Sequence, residues 1–352
     1  MSDFIEQAQA RIRAAQASGA PLVIRGGGSK DGIGGEPVGV VVETGEHHGV
    51  VDYDPSELVL TVKAGTRITE VEATLAASGQ CLPFEPPSFG GVATVGGCVA
   101  SGLSGPRRPY AGAVRDYLLG VTLIDGRSDL LRFGGQVMKN VAGFDTFRLQ
   151  AGAMGTLGLI TEVSFKVLPK PEADETRVFA ANAAEAITTM NRLAGQPLPL
   201  AGAVHRDGRL MLRLAGNPAA VTAALAKLGG EPLADAPVFW MSIREQTHPF
   251  FAGAAPLWRL AVKPTTPPLA ADGIDELIDW GGGQRWLRTV LPVDAVRALA
   301  AAHGGHATAL RGIARQHTFQ PPAPAVMALH RRLKASFDPA GILNRGRLYP
   351  DL

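Results

Sequence analysis

Apolar side chains recur at Phe4, Ile5, Ala8, Ile12 and Ala15, near one face of a helix over 3–17. Asp3 can cap that helix, and Gly19 stops it. Leu22, Val23 and Ile24 then form a short apolar run that reads as a buried strand. The β-branched runs 38–42 and 58–62 predict two more strands, and 68–77 predicts a helix with Gly79 just beyond it. A glycine-rich stretch follows and reads as loop. The run 118–124 is a strand that stops at Asp125-Gly126, a hairpin signal, so 130–133 pairs back on it. Residues 156–167, apolar and β-branched, predict a further strand.

The pattern changes at Pro169 and Pro171, where glycine thins and alanine rises. A domain boundary is expected near 171. Beyond it, 176–180 predicts a strand and 183–193 a helix stopped by Gly195. Runs 201–205 and 209–214 form a hairpin around Asp207-Gly208, and Asn217-Pro218 opens a helix that ends at Gly229. Strands are expected at 257–262, 285–290 and 306–311, with a helix from Pro292 to about 302. This alternation predicts an α+β sandwich with its helices on one face. Pro321, Pro322 and Pro324 mark a crossing segment before a last helix, about 325–336. That helix would carry Val326, Leu329, Leu333 and Phe337 on one stripe and break at Asp338-Pro339.

Composition narrows the classes. Lys and Arg exceed Asp and Glu by only two in 352 residues, so no strong field points to nucleic acid or an anionic membrane. The first twenty residues hold Asp3 and Glu6 and lack a continuous apolar stretch, which argues against a secretory signal. The run 86–106 is uncharged over 21 positions but contains three prolines and six glycines, unsuited to a spanning helix. Two cysteines, Cys81 and Cys98, make no disulfide framework, so a reducing, cytoplasmic setting is expected. No Cys/His cluster has structural zinc spacing, and no metal is expected. His303 and His306 could share a metal, but the glycine pair between them reads better as a helix end running into a strand. His47 and His48 read as solvated.

Glycine is the outlier. Of 43 glycines, 27 lie in the first 170 residues. Arg25-Gly26-Gly27-Gly28-Ser29-Lys30 follows a strand, and successive N–H groups in such a turn make a concave anion site. A Walker loop is excluded because Ser29-Lys30 has the wrong order. A Rossmann fingerprint is excluded because Asp31 stands where its third glycine should be. The alternative is a flexible surface turn. A second cluster runs from Gly90 to Gly102, and a third from Gly152 to Ile160. Three separated loops of small residues suit one long, flat ligand such as a flavin dinucleotide. Cys98, inside the second cluster, reads as a small buried filler.

With Lys139-Asn140-Val141-Ala142-Gly143-Phe144-Asp145 and the end Phe337-Asp338-Pro339-Ala340-Gly341-Ile342-Leu343-Asn344, these segments resemble the FAD-binding fold of the vanillyl-alcohol oxidase/p-cresol methylhydroxylase (PCMH) superfamily. The resemblance covers nearly the whole chain. Within the superfamily it is similar to the smaller FAD-binding subunits of bacterial glycolate oxidases, on its short length and the run 137–143. One departure is Arg345, where relatives often have proline.

The resemblance implies a two-subdomain PCMH-type FAD-binding domain at 1–170. It implies a truncated, ferredoxin-like α+β cap at 171–318 and a C-terminal segment, 319–352, returning to the first domain. It implies that Arg25, Gly26, Gly27, Gly28 and Ser29 wrap the FAD pyrophosphate. Pro86, Ser88, Thr94, Gly96, Gly97, Ser101 and Gly102 would run beside the flavin. Gly152, Gly155, Thr156 and Ile160 would back the adenosine half, and Asn344 joins the cofactor set from the return segment. Relatives that bind flavin covalently use His or Cys at specific places. Ser29 and the absence of a loop histidine imply non-covalent FAD. The implied function is that of an FAD-binding subunit in a complex oxidising glycolate or another 2-hydroxy acid. Its partners would be a second FAD-binding subunit and an iron–sulfur subunit, and any membrane association would be peripheral, through the complex. No catalytic residue is assigned. Two alternatives stay open: a stand-alone FAD oxidoreductase on another small hydroxy acid or alcohol, and a non-catalytic flavin-fold scaffold.

Overall fold

A computed structural model describes residues 3–135 and 144–352. The run 137–143 used for the subunit-level resemblance lies outside the described residues. The helix Asp3–Ser18 buries Ile5, Ala8, Ile12 and Ala15, four of the five residues on the expected face. They pack on the parallel strand pair Leu22–Arg25 and Val40–Glu43 and on Ile342 and Leu343 of the chain's end. Phe4, the fifth, stacks on His47 with ring centroids 4.5 Å apart. His47 is therefore buried rather than solvated, and burial holds its pKa below the usual histidine value.

The second subdomain is a five-stranded antiparallel sheet. Its order is Val50–Asp54, Val59–Lys63, Leu159–Lys166, Leu118–Ile124 and Leu130–Gly134. One face covers a core of Leu60, Val62, Val163, Phe165, Val121 and Leu123, closed by the helix Ile68–Ala77. The strand Val50–Asp54 was not expected. It is a bulged edge strand with exposed Val50 and Val51, and it lacks the alternation of a half-buried strand.

The glycine run is not all loop. Val95–Ser101 forms a short helix despite Gly96 and Gly97. Thr94 caps it by accepting from Gly97 N at 3.3 Å, and Gly102 ends it in the left-handed region at φ 65°. Val95, Cys98 and Val99 are buried on its inner face, so packing overrides glycine's poor helix propensity.

The cap is an eight-stranded sheet running from Ala173–Ala180 to His306–Arg311. Its first half has the βαββαβ order expected of a ferredoxin-like unit. Glu231–Pro232, Ala173–Ala180, Arg209–Gly216 and Leu200–Arg206 lie side by side in that order. Asn182 and Glu185 form a capping box for the helix Ala183–Ala194. Asp207 and Gly208 both take positive φ, as a tight hairpin turn requires. The helices Ala183–Ala194, Pro218–Leu228 and Val293–Ala302 cover one face. The helix Ala236–Arg244 packs on the other, through Trp240 and Ile243, which corrects the one-face expectation.

The last helix, Pro324–Phe337, is rotated from its expected orientation. Val326 and Leu329 are exposed, whereas Met327, Lys334 and Phe337 are buried. Lys334 is the reason. Its ammonium donates to Thr156 O (2.8 Å), Leu343 O (2.6 Å) and the buried carboxylate of Asp338 (2.7 Å). That network ties the helix and the chain's end to the first domain. The two domains are joined by further ion pairs, Arg213 to Glu85 (2.7 Å) and Arg244 to Glu72 (2.7 Å).

Candidate functional site

A groove runs between the two subdomains of the first domain. It encloses about 690 Å³ of atom-free space, its solvent-open side included. Its floor is the loop that leaves the strand Leu22–Arg25. Arg25 is held there by Asp31 (2.8 Å) and Glu43 (3.1 Å), and the hydrogen bond to Asp31 leads in raising its pKa. Asp31 N closes the turn onto Gly28 O at 3.0 Å, and Gly28 takes φ 73°.

The loop lies hard against the 92–94 segment. A Cβ on Gly26 would stand 2.3 Å from Thr94 Oγ1, and one on Gly27 would stand 1.6 Å from the Val92 carbonyl oxygen. These two glycines therefore serve first to let two stretches of protein meet. By contrast, a Cβ on Gly97 would meet only Thr94 Oγ1, at 3.3 Å. Lys30 is 9% exposed, and its ammonium donates to Ser29 Oγ at 2.9 Å above the Phe89 ring. No carboxylate pairs with it among the described residues, and burial pulls its pKa down. A nearly buried cation that makes no ion pair and feels Glu245 only at a distance, beside part-exposed glycine backbone, fits an anionic group such as a pyrophosphate.

The chain's end completes the wall. Asn344 Oδ1 accepts from Ile24 N, and its Nδ2 donates to Met154 O, both at 2.7 Å. One amide thus staples the first strand to the 152–155 loop. Asn344 sits at φ 44°, a left-handed conformation that asparagine tolerates well. Arg347 donates to the carbonyls of Lys30 (2.7 Å), Asp31 (3.1 Å) and Gly35 (3.1 Å), fixing the glycine loop from beneath. Burial lowers its pKa to about 10. Arg345 extends no further than Gly341 O, at 2.7 Å.

Twelve of the seventeen residues assigned from sequence line this groove. They are Arg25 to Ser29, Thr94, Gly96, Gly97, Ser101, Gly155, Ile160 and Asn344. Five do not. Pro86 O accepts from Arg244 Nε at 2.9 Å, and Ser88 N donates to Glu245 at 2.9 Å, so both stand at the contact with the cap. Thr156 is buried, its hydroxyl donating to Ala153 O at 2.7 Å and its carbonyl taken by Lys334. Gly102 and Gly152 line a second cleft, between the domains. Lys30, Met154 and Arg347 were missed, although Lys30 stood beside the assigned motif. Arg347 carries no local signal, because only the return of the chain's end brings it here.

Cys98 is buried in the helix behind the groove, and burial pushes its thiol up to about 12. It is thus a protonated filler and a poor nucleophile. His303 follows the helix Val293–Ala302 and His306 opens the next strand. Among the described residues no group of three or more His, Cys, Asp or Glu side chains could hold a metal ion.

Two family models match the chain. An FAD binding domain matches residues 4–134, and a C-terminal domain of FAD linked oxidases matches residues 283–348. Glycolate oxidase subunit GlcE of Escherichia coli K12 is 42% identical over 350 residues, 99% of both chains. Glycolate oxidase subunit GlcD of Bacillus subtilis is 33% identical over 158 residues, 44% of this chain and 33% of that protein. In structure, alkyldihydroxyacetonephosphate synthase superposes with a TM-score of 0.69 at 17% identity, over 96% of this chain and 75% of that one. That likeness bears on the fold alone.

Proposed function

The chain belongs to the family of FAD-linked oxidases that includes glycolate oxidase subunit GlcE. From that premise we propose that it carries FAD in its groove as one subunit of a complex that oxidises glycolate to glyoxylate. It is an FAD-dependent oxidoreductase for CH–OH donors and works within a multisubunit enzyme. The division into an FAD domain at 1–170, a cap at 171–318 and a return segment at 319–352 is part of this reading.

The observation that carries it is the nearly buried Lys30 ammonium, which makes no ion pair among the described residues, beside the glycine loop. Gly26, Gly27, Gly28, Ser29 and Lys30 would hold the pyrophosphate. Gly96, Gly97 and Ser101 would run beside the ring system, and Gly155, Ile160 and Asn344 would back the adenosine half. Bound FAD supplies the acceptor for the hydride that leaves the substrate carbon. Attachment is non-covalent, because Ser29 replaces a loop histidine and the Cys98 thiol stays protonated.

The partners we assign are a second flavin subunit and an iron–sulfur subunit. Two cysteines cannot ligate an iron–sulfur cluster by themselves, so any such relay sits on another chain. Among the described residues no helix is long and apolar enough to cross a membrane, so membrane attachment would run through partners. The test is anaerobic addition of glycolate to the assembled complex. Bleaching of the flavin with formation of glyoxylate is expected. A complex that holds FAD but leaves it oxidised with glycolate, while another small alcohol reduces it, overturns the substrate.

A further inference from the structure

The second cleft, between FAD domain and cap, holds about 940 Å³ of atom-free space, its open mouth included. Ser101 lines both this cleft and the groove, so the two are adjoining rooms. Gly102 and Gly152 form the FAD-domain wall. The cap sheet forms the other, and strand register decides which side chains it presents. Arg259 is paired with Thr308, and Ala261 with His306. Alternation along a strand therefore puts Arg259, His306 and Thr308 on one face, toward the cleft. Their neighbours Trp258, Leu260, Ala307 and Ala309 turn the other way, into the core under the helix Val293–Ala302.

The charge of this cleft is one-sided. Its lining holds three arginines and two histidines and no carboxylate. Arg115 has Asp116 at 3.6 Å, and Arg108 lies over the Trp280 ring at 4.5 Å. Arg259 has neither a hydrogen-bond nor an ion-pair partner among the described residues, although it is only partly exposed. Burial, and then the neighbouring Arg108, lower its pKa to about 10, which leaves it charged at neutral pH. A charge held in a cleft without a partner is costly unless something brings the counter-charge. His306 stands at the exposed edge of the cleft, where partial desolvation and then Arg259 lower its pKa, which favours the neutral ring that can meet a hydroxyl.

We propose that Arg259, with His306 and Thr308, binds a small 2-hydroxy acid, the guanidinium taking the carboxylate and the other two the hydroxyl. The planar guanidinium fork of Arg259 matches a carboxylate in two parallel hydrogen bonds. The site rests on the reading of the neighbouring groove as the flavin site. It gives this subunit a substrate pocket of its own, which an electron relay or a scaffold would not need.

The probe is methoxyacetate, which has the carboxylate and a blocked hydroxyl, titrated into the FAD-loaded full chain and followed by the flavin absorbance. The neutral 2-methoxyethanol and inorganic phosphate are the comparison ligands. Arg259→Met should weaken methoxyacetate binding about 10- to 100-fold, the range for a lost charge-assisted hydrogen bond. Its FAD content should stay unchanged. Arg259→Lys should fall between, and Thr308→Val, which keeps the volume, should weaken glycolate more than methoxyacetate. Equal methoxyacetate affinity in wild type and Arg259→Met overturns the proposal. So does tighter binding of phosphate or 2-methoxyethanol, or loss of FAD from a folded Arg259→Met chain. If the chain carries FAD and the complex oxidises glycolate while every Arg259 variant behaves as wild type, only the pocket fails. If the chain takes up no FAD, the flavin reading itself fails.

Discussion

Gly27→Ala tests why the glycine loop is built of glycine. Gly27 does not occupy the left-handed region, so its backbone conformation is open to alanine. The obstacle is contact. The added methyl would stand 1.6 Å from the Val92 carbonyl oxygen and 2.9 Å from Arg67 Nη1, which itself donates to that carbonyl at 2.5 Å. Two stretches of main chain would have to separate by well over an ångström. Such overpacking costs about 1–3 kcal/mol. Losing the Arg67 hydrogen bond adds roughly 0.5–1.5 kcal/mol. If the strain is relieved by moving the loop out of the position we propose for holding the cofactor, the dissociation constant for FAD should rise roughly 10- to 1,000-fold. Gly32→Ala is the matched control. It lies just beyond the loop, has no positive φ, and its Cβ would meet nothing within 4 Å. It should change stability and FAD affinity by about 0.5 kcal/mol or less. Titration of FAD into the apo chains, followed by flavin fluorescence, gives both constants. Wild-type affinity in Gly27→Ala, or an equal loss in Gly32→Ala, refutes the reasoning.

Asn344→Ala removes an acceptor for Ile24 N and a donor to Met154 O. Two backbone groups left unpaired should cost about 2–4 kcal/mol in urea unfolding, with weaker FAD binding. Asn344→Asp, which keeps only the acceptor, should cost less, and a neutral Asn344→Ala would sink the staple. Asp279 is buried and accepts from Trp280 N and Gln284 Nε2, and burial pushes its carboxyl up from 3.8 to about 7. The folded chain therefore keeps a proton that the unfolded chain has lost. This contribution is complete below about pH 4 and disappears as pH rises through 7, with a slope of up to about 1.4 kcal/mol per pH unit. Unfolding free energies across pH 4–7 should lose that slope in Asp279→Asn, and an unchanged slope assigns it elsewhere. Acid precipitation should release all flavin into the supernatant if attachment is non-covalent, as we propose. Flavin left in the pellet would mean a covalent bond.

The strongly patterned elements were legible in the sequence. The first helix, the 118–134 hairpin and the Asn217-Pro218 helix start each carry a local signal that agrees with their packing. Elements decided by tertiary contact were not. Val95–Ser101 reads as loop because two glycines oppose a helix, and it forms only through its caps and buried face. The strand Ile274–Asp279 was missed because Asp275, Glu276 and Asp279 hide it. Glu276 is buried there against Arg285, whose guanidinium charge no local pattern announces. The glycine half of the site was visible as three clusters, and most of those residues line one groove. Arg347 and Arg259 had no such mark. Each is a single cation, placed by the return of the chain's end or by strand register.

The central claim is that this chain carries its own flavin. The direct measurement is the amount of FAD released per chain after the purified protein is incubated with FAD and freed of excess. The account predicts one FAD per chain. A folded chain that releases none, at any FAD concentration used for loading, contradicts it.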